Sequence, residues 1–179
     1  MIGSQQFKQA MARLAGAVSV ITTYDEHCQP WGFTASSLCS LSLQPPLVLF
    51  CLSEDADCYQ AFLHARFFAI NLLSEQQRDL AQRFAHKGRA KYQETTFVQG
   101  KLNLPLLPGT LTALECSRLN AYPGGDHRIF TGLVEYSQSA QLNPAARPLL
   151  YSIHTYGTFT ALLSSEELAP LPDQKERSA

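Results

Sequence analysis

Three stretches of this sequence carry side chains able to hold or transform a ligand. The first is Thr34-Ala35-Ser36-Ser37, a run with little bulk and many hydroxyl and amide groups. Backbone of this kind comes close to a planar, hydrogen-bonding molecule, so the run reads as a ligand seat. The second is Pro123-Gly124-Gly125-Asp126-His127, a loop with turn chemistry that ends on an imidazole. On composition alone His127 has two readings: an exposed turn histidine without a task, or a functional group placed on a loop of a rigid scaffold. The third is Lys87, Arg89 and Lys91, the densest positive cluster in the chain. These are solvated loop charges in one reading and a partner for an anionic cofactor in the other.

Several other chemistries are disfavoured. The five cysteines, Cys28, Cys39, Cys51, Cys58 and Cys116, are odd in number and have no C-x-x-C spacing, which argues against a disulfide framework and a structural zinc site. His27, His64, His86, His127 and His154 are scattered, with no H-x-x-x-H or H-E-x-x-H spacing, so no metal site is expected. A net charge of −1 without basic or acidic blocks lacks the footprint of a nucleic-acid binder. No apolar run reaches membrane-spanning length and residues 1–14 lack a signal-peptide core, so a cytoplasmic protein is expected.

The elements that must position these groups are mostly strands. At 179 residues, 45% hydrophobic and 16% charged, the chain is long enough for one domain with a real core. Phe7, Met11 and Leu14 predict a short amphipathic helix over residues 4–14, capping one end of the fold. Residues 18–24 are a β-branched strand, with the stretch beginning at Trp31 as its hairpin partner. Gly32 weakens that partner unless a bulge or a close-packed ligand uses the missing side chain. Residues 47–52, entered through Pro45-Pro46, read as a buried strand. A helix starts near Asp57, where free amides suit either a phosphate or a plain N-cap.

Residues 66–73 are another strand, and Ser74 with Gln77 forms a capping box for a helix carrying Leu80 and Phe84. Residues 103–110 are a loop, residues 111–122 and 129–137 a hairpin, and residues 148–156 a closing strand. Residues 161–179 are polar and proline-bearing, a tail or partner-wrapping arm beyond a domain over residues 1–160. So many short antiparallel strands predict a mainly β fold, a closed or nearly closed barrel with short flanking α-helices.

Several blocks, in order, resemble the flavin reductase family with the FMN-binding split-barrel fold, the reductase component of two-component monooxygenases. They are F-K-Q-A-M-A-R-L-A-G-A-V-S-V-I-T-T, G-F-T-A-S-S, S-L-x-P-P-L-V-L-F-C-L, R-F-F-A-I-N-L-L, A-Q-R-F-A, L-E-C, G-G-D-H and P-L-L-Y. The resemblance covers nearly all of residues 7–156. It implies a homodimer of split barrels that binds FMN or FAD and takes NADH or NADPH as co-substrate. By position it assigns flavin contacts to Phe33, Thr34, Ala35, Ser36 and Ser37, to Cys51, Leu52, Ser53 and Cys58, and to Phe84, Ala85 and Lys87. It places Asp126 and His127, with Tyr151, Ser152 and His154, on the nicotinamide side. His127 is the candidate catalytic residue, orienting the nicotinamide or helping a proton reach the flavin. A transient link to a partner monooxygenase is implied too, and neither nucleic acid nor membrane is.

Two departures from the family pattern stand out. Where the family carries a hydroxyl pair suited to phosphate, this chain has Ala56, Asp57 and Cys58 after Glu54 and Asp55, and carboxylates repel a phosphate. After P-L-L-Y the family's arginine and glycine are replaced by Ser152, Ile153 and His154, removing a guanidinium suited to a nucleotide phosphate. A second function class therefore stays open: a flavin- or small-ligand-binding split barrel with lost or altered reductase chemistry.

Overall fold

The described residues of the computed structural model are 1–139 and 146–161; the tail anticipated over residues 161–179 lies, from residue 162, outside them. The chain enters through α1 (Ser4–Met11) and the two-residue strand β1 (Gly16–Ala17). The β-branched run forms β2 (Ser19–Tyr24) and turns back into β3 (Pro30–Ala35), with Ile21 opposite Phe33 and Thr22 opposite Gly32. A second hairpin joins β4 (Cys39–Ser42) to β5 (Leu47–Ser53) across the proline pair. In β5 burial alternates, with Val48, Phe50 and Leu52 inside, so this strand has one inward face rather than two.

α2 (Tyr59–His64) and β6 (Phe67–Leu72) follow. The capping box forms, with Ser74 N–H donating to Gln77 Oε1 at 3.1 Å, and opens a 3₁₀ turn that leads into α3 (Arg78–Ala85). The basic stretch beyond contains α4 (Ala90–Gln93) and β7 (Val98–Gln99), which pairs with β8 (Pro105–Leu106). The long hairpin β9 (Thr112–Gly124) and β10 (His127–Ser139) runs further toward its tip than residues 122 and 129, leaving only Gly125 and Asp126 in the turn.

The closing strand is instead a hairpin, β11 (Leu149–Ser152) with β12 (Thr155–Thr158). Ile153 and His154 turn it with φ of 49° and 57°. A β-branched residue is a poor occupant of that left-handed region, so the usual Asn-Gly signal of a two-residue turn is missing.

Seven strands make one antiparallel sheet in the order β3-β2-β6-β9-β10-β5-β4, while β11 lies between β1 and β12 in a second sheet. The large sheet curls around Phe50, Phe62, Phe68 and Phe130, with Phe50 stacked on Phe130 at 5.1 Å between ring centres. Among the described residues the edge strands β3 and β4 share no ladder, so the barrel is split there, and beyond the end of β4 the last residues of β5 face β3 across the gap. Ser37 clasps the gap: its Oγ accepts the Cys51 N–H at 3.0 Å and donates to the Cys51 carbonyl at 3.2 Å.

Two buried polar side chains anchor the outer segments. Asn71 on β6 donates to the Val20 carbonyl and accepts the Leu107 N–H, pinning the leucine-rich stretch beside β8. Glu115 on β9, fully buried, accepts the N–H groups of Lys101 and Leu102. Gly32 marks neither a bulge nor a gap left for a ligand. The β2–β3 register is unbroken there, and a Cβ at Gly32 would meet the Ile21 carbonyl oxygen at 2.8 Å and the Phe84 ring at 3.2 Å. The missing side chain is used by α3, which packs directly on the strand. The helix expected over residues 4–14 ends at Met11, and Phe7 and Met11 on it, with Leu14 beyond it, are exposed, so among the described residues its apolar face is not covered as a cap would be.

Candidate functional site

The split between β3 and β5 opens into a cavity of about 430 Å³. Four pieces of chain surround it. β3 and the residues after it supply Phe33, Thr34, Ala35, Ser36 and Ser37; β5 supplies Cys51, Leu52 and Ser53; the end of α3 and its exit supply Phe84, Ala85, His86 and Lys87. His127 completes the rim because it opens β10 directly opposite Ser53, so strand pairing carries the imidazole to the cavity.

Not every hydroxyl in the seat is free. Thr34 Oγ1 donates to the Ala81 carbonyl at 2.6 Å and so fastens α3 to β3, and Ser37 is engaged with Cys51. Ser36 is exposed and makes no side-chain hydrogen bond among the described residues. The seat thus offers a ligand one free hydroxyl, small side chains and close backbone.

The imidazole is held in one orientation. His127 Nδ1 lies 2.7 Å from Asp126 Oδ1, and the hydrogen bond from the ring holds the Asp126 carboxyl below the usual carboxylate range. An ionised carboxylate only accepts, so Nδ1 carries the proton and Nε2 is the nitrogen left for a ligand. Asp126 itself is exposed and does not line the cavity.

The basic cluster divides into three roles. Lys87 lines the cavity and donates to the Asp55 carbonyl at 2.7 Å. Arg89 turns away, stacking over Trp31 and Tyr92 at 4.6 and 4.7 Å and donating to the Pro30 carbonyl. Lys91, for which the sequence allowed a solvated loop charge or a partner for an anionic cofactor, is buried; its Nζ donates to the His86 carbonyl at 2.8 Å and pairs with Asp57 at 3.5 Å. Asp57 also accepts the Gly88 N–H at 2.7 Å. Asp55, Ala56, Asp57, His86 and Lys91 all line the cavity. Nothing in the K-x-x-x-K spacing of Lys87 and Lys91 marks one of the two lysines as inward.

Besides Asp126, four assigned residues lie outside the cavity lining. Cys58 is fully buried in the aromatic core, and burial, with Asp57 nearby, pushes its thiol up to about 12. It supports the wall from behind instead of touching a ligand. Tyr151, Ser152 and His154 do not line the cavity. Tyr151 packs on Tyr156, Ser152 Oγ reaches the Ala12 carbonyl at 3.5 Å, and His154 sits in a shallow groove against Gln6 and Arg13 of the N-terminal segment.

The architecture is thus that of a split antiparallel barrel with a lined cavity at its seam. The chain belongs to the flavin reductase like domain family, whose pattern it matches over residues 11–160. It is 36% identical to an actinorhodin polyketide dimerase of Streptomyces coelicolor, over 91% of this chain and 89% of the relative. It is 33% identical to the reductase subunit of a flavin-dependent monooxygenase, HsaB of Mycobacterium tuberculosis, over 84% of this chain and 79% of that one. Among solved structures it superimposes on the NADH:FAD oxidoreductase SgcE6 of Streptomyces globisporus, held in complex with NAD and FAD fragments. The TM-score is 0.82 at 30% identity, over 92% of this chain and 99% of the other. A longer solved chain from Sinorhizobium meliloti matches with a TM-score of 0.81 at 32% identity, and there this chain spans 53% of the other's length.

Proposed function

We propose that this protein is an NAD(P)H-dependent flavin reductase that passes a hydride from NADH or NADPH to FMN or FAD and supplies the reduced flavin to a partner monooxygenase. The observation that carries it is the cavity at the barrel seam, where the seat of residues 33–37 faces β5 with His127 on the rim. The family, the reductase-subunit relative and the NADH:FAD oxidoreductase structure all support the same reading.

The residues fit a flavin. Small side chains and free backbone on one wall suit a flat ring system, while Phe33, Leu52 and Phe84 give it apolar surroundings. A cavity of about 430 Å³ is within the range of small-molecule sites, roughly 300–1,000 Å³. When bound, the flavin supplies the electron-accepting chemistry, taking a hydride from the nicotinamide and one proton to reach its reduced form. The chain holds the two rings together and excludes water from one side. His127, on the rim with Asp126 engaging its Nδ1, leaves Nε2 to orient the nicotinamide or to hold a proton there. No protein nucleophile is needed.

We further propose a homodimer. Phe7 and Met11 on α1 and Leu14 just beyond its end leave an apolar face exposed, at 55%, 46% and 67%, and Ile153 N–H anchors the β11–β12 turn to the Ala12 carbonyl beside it. A second copy covering this face would also bury the surroundings of Ser152 and His154, which gives those residues a route to a nucleotide that their own cavity does not offer. Sedimentation velocity checks this, with a monomer at micromolar concentration as the contrary result. All five cysteines are free and no described helix is long and apolar enough to cross a membrane, which supports the cytoplasm as the working compartment.

The activity test is consumption of NADH and NADPH by purified protein with FMN or FAD as acceptor. Turnover that scales with protein supports the reading; flavin binding without nucleotide oxidation favours a ligand-binding split barrel.

A further inference from the structure

Resting on the flavin-reductase reading, the structure assigns Asp57 as the residue that sets flavin choice: we propose that its carboxylate occupies the cavity's anion position, so the enzyme accepts riboflavin about as readily as FMN. The wall after α3 holds what a phosphate would use, a buried ammonium and a backbone N–H. Lys91 is almost wholly buried, its side chain 4% exposed, and Gly88 presents its N–H beside it. Both are already committed to one carboxylate. Asp57 Oδ1 and Oδ2 each lie 3.5 Å from Lys91 Nζ, and Oδ2 accepts the Gly88 N–H at 2.7 Å.

The remaining cation on this wall is committed as well. Lys87 Nζ is bound to the Asp55 carbonyl. Asp55 and Asp57 match Lys87 and Lys91 in number among the cavity residues, so the wall carries no net charge to attract a phosphate. A terminal phosphate approaching Lys91 meets Asp57 at nearly the same distance, and attraction and repulsion offset. Binding selectivity then rests on the ring system and ribityl chain, which riboflavin and FMN share. Asn at position 57 keeps an acceptor for the Gly88 N–H and releases the Lys91 charge, which converts the same wall into a phosphate site.

The test compares kcat/KM for FMN and riboflavin, with NADH saturating, in the parent and in Asp57→Asn, whose folding is checked by thermal melting. The parent is expected to show a ratio within threefold of one that changes little between 50 and 500 mM KCl. D57N is expected to raise the ratio at least tenfold through a lower KM for FMN, and the gain should shrink as salt is added. A parent that prefers FMN more than tenfold, or a folded D57N with an unchanged ratio, overturns the assignment. Should D57N not fold, the parent's ratio and salt dependence decide. Robust reduction with FMN strongly preferred sinks only the role of Asp57, whereas no reduction of either flavin removes the reductase reading beneath it.

Discussion

Replacing Gly32 with alanine tests whether the site depends on how closely α3 packs on β3. The added methyl carbon would lie 2.8 Å from the Ile21 carbonyl oxygen, 3.0 Å from Thr22 Cγ2 and 3.2 Å from Phe84 Cε1. The first of these is a backbone atom of the neighbouring strand and cannot rotate away, so β3 or α3 must shift. Overpacking of this sort costs about 1–3 kcal/mol. With a urea dependence of about 2 kcal/mol per molar, the unfolding midpoint should fall by about 0.5–1.5 M. The shift also reaches the ligand, because Phe84, Ala85, His86 and Lys87 at the end of α3 form one cavity wall. Flavin titration by fluorescence quenching should therefore show weaker binding in the same variant. A midpoint within about 0.2 M of the parent, smaller than the least shift expected from overpacking, together with an unchanged Kd would refute the close-packing explanation of Gly32.

Other expectations follow from single contacts. His127→Ala should lower turnover by about tenfold or more while leaving flavin affinity within about twofold, since the imidazole sits on the rim and not in the seat; steady-state kinetics at saturating flavin within twofold of the parent would remove its role. Glu115→Gln should cost about 1–3 kcal/mol in urea unfolding, because the new amide sets a donor against one of the backbone N–H groups of Lys101 and Leu102. Under native conditions a thiol reagent at pH 8 should label Cys28 and Cys39 fast and Cys58 and Cys116 only on unfolding, read by mass spectrometry of the labelled peptides. Burial pushes both inner thiols up to about 12, so the folded state keeps protons that the unfolded chain releases near pH 9. Stability is then full below about pH 9 and declines as pH rises toward 12, by up to about 1.4 kcal/mol per pH unit for each thiol, which denaturant melts across that range would show.

Much of the barrel could be read from local pattern. The β-branched run of residues 19–24, the proline-entered strand at residues 47–53 and the Ser74–Gln77 box each carry their signal within a few residues. The seat was legible for the same reason, since five of its cavity residues are consecutive. What the local pattern missed depends on partners distant in the chain. Whether Thr34 serves a ligand or the Ala81 carbonyl, and whether Lys91 faces water or Asp57, is decided across 47 and 34 residues of separation. The helix of residues 4–11 shows the opposite failure: its apolar spacing is plain, yet nothing among the described residues covers it, because spacing tells which face wants burial and not what buries it. Tyr151, Ser152 and His154 were placed on the nicotinamide side by resemblance; the hairpin turn at Ile153 and His154 sets this segment against the N-terminal one, outside the cavity, a placement that no local pattern announces.

The most direct measurement is anaerobic stopped-flow absorbance at the oxidised-flavin band, mixing the protein and FMN or FAD with NADH and, separately, NADPH. Bleaching that depends on protein, is fast with at least one nucleotide and is slowed in His127→Ala is the result expected of a flavin reductase whose seat lies at the barrel seam. Bleaching no faster than the protein-free control, with flavin still bound by fluorescence quenching, would contradict it and leave a ligand-binding split barrel in its place.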